Sequence, residues 1–296
     1  MSGASRLRAL IGLARPLHLL LIAVTYFLGA GVARYLGNPQ TTAVFWLGLW
    51  GVWMAQLSLN LLAEAFRPFH EPLLENETRT ERRLLRDAAL YLSLAALSVL
   101  AFIAFLFYRE GRLTSAVFLF LAFSIALIIA YAVPPLRLVG KGFGELLLAI
   151  HIAYISPTLA FLLQVGEFHR LLNSLTVPLT LLALATFLAL DFPAFASDLK
   201  YERRTFLTRL GWERAVPLHH ALVLVAYLLL AVIPFFGFSF GVLWPAFLSL
   251  PFALLQMFWL RNIALGAKPI WRLFSTNAVA VLGLTAYFLT LTFWLR

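Results

Sequence analysis

Residues 176–211 read TVPLTLLALATFLALDFPAFASDLKYERRTFLTRLG. Fifteen uncharged residues, 176–190, lead to Asp191, and a second carboxylate, Asp198, follows seven positions on. On a helix, positions i and i+7 lie two turns apart on one face, with i+3 between them. Here the i+3 residue is Ala194. An uncharged run of this length argues for a membrane segment. An ionisable group at its edge marks a function or a buried ion pair, because an unpaired buried charge is costly.

The rest of the chain supports that reading. Of its 296 residues 62% are hydrophobic and 12% charged, against about 25% charged in soluble domains. The apolar residues fall in runs of roughly 20, the length that crosses a bilayer core of about 30 Å. A soluble helical protein would alternate polar and apolar faces instead. There is no cysteine, so disulfides, thiolate metal ligands and cysteine nucleophiles are excluded. The basic, amphipathic start, MSGASRLRALIGLARP, runs into a full span without a cleavage site, so no removable signal peptide is expected.

Nine spans are expected, at about 17–34, 42–66, 88–108, 114–132, 144–166, 175–197, 216–237, 241–261 and 273–295. They predict an all-α membrane bundle forming one domain over 1–296. With the N-terminus in the cytoplasm, only Arg34, Arg109, Arg112, Arg170 and Arg296 of the 23 Lys and Arg residues fall outside. That bias sets the orientation: N-terminus inside, C-terminus outside, in the cell membrane. Of the 13 acids only Glu110 and Glu167 lie outside, so the ionic chemistry gathers at the cytoplasmic face. A glycosylation sequon, Asn76-Glu77-Thr78, falls on that inner side and is discounted. The net charge of +10 suits anionic lipid headgroups. No span carries an arginine ladder, which argues against a voltage sensor, and no nucleic-acid module is present.

The spacing of the opening stretch occurs twice. After the second span, Glu64 and Glu71 are also seven apart, with Arg67 at i+3 and Pro68 disturbing the helix. Hard divalent cations take oxygen ligands, and Mg²⁺ commonly combines one or two carboxylates with phosphate oxygens. Two acidic clusters at a membrane surface suit a lipid diphosphate, its head at the mouth and its tail among the helices. Nearby Arg and Lys would neutralise the remaining phosphate charge. The plainer reading of 64–87 is a solvated loop charge cluster.

Three segments resemble the UbiA superfamily of intramembrane prenyltransferases. Residues 125–150, IALIIAYAVPPLRLVGKGFGELLLAI, are similar to its Tyr-Ser-x-Pro-Pro-Leu-Arg-Leu-Lys segment and following Gly-x-Gly-Glu, through Tyr131, Pro134, Pro135, Leu136, Arg137, Leu138, Gly142, Gly144 and Glu145. Residues 191–211 resemble its second aspartate motif and Arg-Thr-Leu tail, and NLLAEAFRP, 60–68, its first aspartate motif. The resemblance implies nine spans and Mg²⁺-assisted transfer of a polyprenyl group from its diphosphate to an aromatic acceptor. The tail is most similar to the branch that prenylates dihydroxynaphthoate in menaquinone synthesis, or to its homogentisate relatives.

Carried over, the resemblance makes Glu64, Glu71, Asp191 and Asp198 the outer acids for catalysis and metal. Arg137, Lys141, Arg203 and Arg204 would support the phosphates, with Tyr131 at the same mouth. Both central acids are replaced, by Arg67 and Ala194. Arg67 either enters the metal's region, pairing with Asp191, Asp198 or Glu71, or points away and leaves the four outer carboxylates to hold one ion. Two functions follow. One is an active, Mg²⁺-dependent prenyltransferase, impaired or not. The other is a catalytically silent relative without a metal, binding a quinone or lipid within a larger membrane complex. A transporter is a distant third, since its midplane helix breaks are not evident. His151 and Tyr154 are expected to bond to neighbouring helices, His219 and His220 to sit at an interface, and His70 adjoins the first cluster.

Overall fold

The computed structural model describes residues 3–74 and 77–296, so Asn76 of the sequon lies outside the described residues. Among the described residues helices are the only regular secondary structure, with no strand. A short helix, α1 (Gly3–Leu13), precedes α2 (Pro16–Tyr35), α3 (Thr42–Ala65), α4 (Arg79–Arg109) and α5 (Ser115–Ala132). The fifth span is composite: α6 (Gly144–Ile150), a π turn over His151–Ile155, and α7 (Ser156–Val165). The sixth joins α8 (Arg170–Asp191) to α9 (Phe195–Lys200), and α10 (Phe206–Leu210) leads into α11 (Trp212–Val232). The eighth span combines α12 (Phe240–Leu243) and α13 (Leu250–Ala264), and α14 (Trp271–Leu295) is the last. Among the described residues, nine helical segments are long and apolar enough to cross a membrane. This is the multi-pass membrane bundle the hydropathy predicts.

Local chemistry sets the boundaries. α4 starts nine residues before the expected span because Thr78 and Glu81 form a reciprocal capping box. α3 stops at Ala65, short of Pro68, whose ring disfavours helix in the residue before it. Glu71 therefore stands in a turn, and the expected shared helical face of Glu64 and Glu71 does not form. The second motif is broken as well. Pro193 lies in a 3₁₀ turn, Phe192–Ala194, between α8 and α9, so Asp191 and Asp198 do not share one continuous α-helix.

The fifth and sixth spans are the most enclosed, and α4 is the most exposed. α2 and α7 approach closely at Gly29, where a β-carbon would collide with the Pro157 carbonyl. Beside this contact the Thr25 hydroxyl donates to the Ile152 carbonyl in the π turn at 2.6 Å, and Ser156 donates to Ile22 O at 3.2 Å. The apolar core along these helices fixes the ends that carry the charged residues.

Candidate functional site

A cavity of about 580 Å³ opens among the ends of α2, α3, α5, α6 and α8 and the loops that follow α3, α5 and α9. Glu64, Glu71, Asp191, Asp198, Arg137, Lys141, Arg203, Arg204 and Tyr131 all line it, as do Arg67 and Ala194. The two distant acidic segments and the middle segment thus converge on one space. Val139, Leu148, Phe187 and Leu190 supply its apolar wall.

The acids are held by arginines. Glu64 accepts from Arg15 Nη2 at 2.9 Å and is in ion-pair contact with Arg67. Arg67 also reaches Glu71 at 4.0 Å and donates to the Pro72 carbonyl at 2.9 Å. Arg203 joins the two motifs: its Nε donates to Glu71 Oε2 at 2.7 Å and its Nη1 to Asp198 Oδ1 at 3.4 Å. Of the expected Arg67 partners only Glu71 is found. Asp191 and Asp198 are not bonded to it, because the turn after α3 directs the guanidinium back along its own segment to Glu64. Burial, opposed by Glu64 and reinforced by the like charges of Arg203 and Arg15, lowers the Arg67 pKa. For Arg203 the bond to Glu71 and the field of Asp198 outweigh burial and raise it. Both guanidinium groups remain charged across the physiological range.

The middle segment is locked to the tail of the second motif. Glu145 Oε1 accepts from the Phe206 N–H at 3.2 Å, and Arg209 donates to the Lys141 carbonyl at 3.2 Å while stacking on Phe143. Gly142 has φ +74°, and a β-carbon there would run into the Arg209 side chain and lie 3.0 Å from the Thr205 carbonyl. Arg15, Arg137 and Glu202 are the non-glycine residues with positive φ among those described, and all three line the cavity. Backbone strain of this kind concentrates at functional sites. Arg137 Nε is buried with no hydrogen-bond partner among the described residues, as are Asp191 Oδ2 and Glu145 Oε2. Burial lowers the Arg137 pKa.

The sequence alone did not single out Arg15 or His18; it marked Glu202 only as standing where the resembling family usually has Gly, and Glu145 only within its segment. Arg15 sits at a left-handed break just before Pro16, a local signal that names no partner. His18 belongs to a buried polar chain that runs from the cavity toward the middle of the bundle. Asn60 Nδ2 donates to Ala14 O at 2.8 Å, so Asn60 Oδ1 accepts from His18 Nδ1 at 3.1 Å and from Gln56 Nε2 at 2.9 Å. Gln56 Oε1 then accepts a hydrogen bond from His151 Nδ1–H at 2.9 Å, and His151 Nε2 lies 3.0 Å from Ser124 Oγ. His151 thus bonds to neighbouring helices, as expected, and Tyr154 packs on Phe120. His219 is buried within the bundle, two turns into α11 from Trp212, and His220 reaches Met257 O at 2.9 Å. His70 lines the cavity.

These contacts test whether the site suits Mg²⁺. Three of the four expected ligands are engaged by arginines, and among the described residues no group of three His, Asp or Glu side chains is placed to hold a metal. The donor set does not fit a metal-clamped diphosphate.

No protein-family model matches the sequence, and no curated protein matches it. Solved structures do. A UbiA homolog from Archaeoglobus fulgidus superposes with a TM-score of 0.67 at 15% identity, over 96% of this chain and 98% of its own. The same homolog bound to GPP and Mg²⁺ gives 0.61 at 16%, over 94% and 99%. The apo structure of a UbiA homolog from Aeropyrum pernix K1 gives 0.54 at 14%, over 93% and 97%. The chain has the fold of these UbiA homologs.

Proposed function

We propose that this chain is a member of the UbiA superfamily, forming one membrane domain over residues 1–296. Its cavity, at the cytoplasmic face of the cell membrane, takes the head of a polyprenyl diphosphate and passes the prenyl group to an aromatic, quinone-precursor acceptor. The convergence of all the expected head-binding residues on one cavity carries this reading. The buried, unpartnered Nε of Arg137 supports it, since an orphaned guanidinium donor calls for an anion. That a UbiA homolog of the same fold is bound to GPP and Mg²⁺ supports a prenyl diphosphate as the ligand class.

The chemistry asked of these residues is electrostatic. As the allylic C–O bond breaks, charge builds on the departing diphosphate. Arg137, Lys141, Arg203 and Arg204 are placed to stabilise it, with Tyr131 beside them. Val139, Leu148, Phe187 and Leu190 keep water from the allylic cation. No step is assigned to Mg²⁺, which the donor set does not fit. The dihydroxynaphthoate-type acceptor rests on the similarity of the tail, Arg203–Gly211.

One observation favours a second reading, in which the chain binds a lipid or quinone without turnover, as part of a membrane complex. The acids Glu64, Glu71 and Asp198 are already neutralised within the chain. Purified protein given radiolabelled geranyl diphosphate and 1,4-dihydroxy-2-naphthoate decides between them. A prenylated product establishes the transferase. Tight binding of geranyl diphosphate with no product on any aromatic acceptor leaves the silent protein.

A further inference from the structure

We infer that Arg15, Arg67 and Arg203 stand in for the divalent cations of a diphosphate site, so that this protein binds its lipid diphosphate without metal. The inference rests on the proposed function and adds the source of the positive charge. Glu64 lies between Arg15, at 2.9 Å, and Arg67. Glu71 lies between Arg203, at 2.7 Å, and Arg67, at 4.0 Å, and Asp198 takes the other arm of Arg203 at 3.4 Å. Glu64, Glu71 and Asp198 thus each have an arginine at ion-pair range. Guanidinium groups do not deprotonate in proteins. A divalent ion approaching these carboxylates must either displace an arginine or settle beside it against like-charge repulsion.

The substitutions fit one exchange. Arg67 puts a positive charge at the centre of the first segment, and Ala194, which lines the same cavity, puts no charge at the centre of the second. Arginine also suits the ligand. Its planar fork carries five N–H donors and matches phosphate oxygens in pairs, and Arg203 spends only Nε and one terminal nitrogen on its two acids. Arg137, Lys141 and Arg204 line the same cavity and are paired with no acid among the described residues, so the head meets cations beyond those that hold the carboxylates. Asp191 and Glu145 line the same cavity, each with one buried carboxylate oxygen that has no hydrogen-bond partner among the described residues.

The test is calorimetric binding of geranyl diphosphate to the full chain in lipid nanodiscs, in EDTA and in Mg²⁺. The expected affinities agree within about twofold, and the double variant Arg67→Asp, Ala194→Asp becomes metal-dependent, losing about tenfold or more in EDTA. A wild-type protein that loses about tenfold in EDTA and regains it with Mg²⁺ overturns the inference and leaves the proposed function standing. Absence of binding in both conditions overturns the proposed function, and this inference with it. Mn²⁺ titrated alone, followed by electron paramagnetic resonance, gives an independent reading should the double variant not fold. Wild-type protein is expected to hold no Mn²⁺, and stoichiometric Mn²⁺ lost on Glu64→Gln would overturn the inference.

Discussion

Replacing Arg203 by alanine removes the side chain that joins the two acidic segments. Its bond to Glu71 Oε2 is short, 2.7 Å, and its bond to Asp198 Oδ1 is long, 3.4 Å. The acids are left nearly enclosed, with side chains 8% and 3% exposed, while Arg203 itself is 30% exposed. Glu71 keeps only Arg67 at 4.0 Å, and Asp198 keeps no ion-pair partner among the described residues. Breaking a fully buried pair costs about 3–5 kcal/mol, which solvent around Arg203 reduces here to roughly 2–3 kcal/mol. That corresponds to a fall of roughly 4–10 °C in Tm. The 8 tryptophans make intrinsic fluorescence during thermal unfolding a direct assay. Adding Glu71→Gln to Arg203→Ala removes one stranded charge, so the double variant should recover about 1 kcal/mol or more relative to the sum of the single effects. A Tm change below about 1 °C for Arg203→Ala, or strict additivity in the cycle, would refute the bridge.

Arg137→Ala should weaken geranyl diphosphate binding about tenfold to a hundredfold, the value of one or two charge-assisted bonds, with little change in Tm; calorimetry and unfolding together check both halves. Gln56→Leu strands Asn60 and His151 in the buried chain and should cost about 2–3 kcal/mol, visible as a lowered Tm. Gly142→Ala combines a positive φ with a collision against Arg209 and should cost about 1–3 kcal/mol. Gly12→Ala, in α1 with open space around it, is the matched control and should be neutral or stabilising by up to about 1 kcal/mol in the same unfolding assay.

The nine spans were legible because a bilayer core imposes one length and one polarity on every helix that crosses it. That length is written in the order of residues alone. The candidate site was legible in outline for a related reason. Acids and bases are expensive at a span's edge, so residues such as Asp191 and Glu64 stand out against their apolar neighbours. Helix geometry within the two acidic segments was less legible. Pro68 and Pro193 each interrupt a turn, and a spacing of seven no longer puts two carboxylates on one face.

Composition and order thus determine the class, the spans and which side chains gather at the charged end. Partnership does not follow from them. Arg15 meets Glu64 across 49 positions and Arg203 meets Glu71 across 132, through helices whose packing sets the distances. Carboxylates spaced seven apart serve equally as metal ligands or as ion-pair acceptors. The choice depends on which cation lies within about 3 Å, and in this fold the packing has put arginine there.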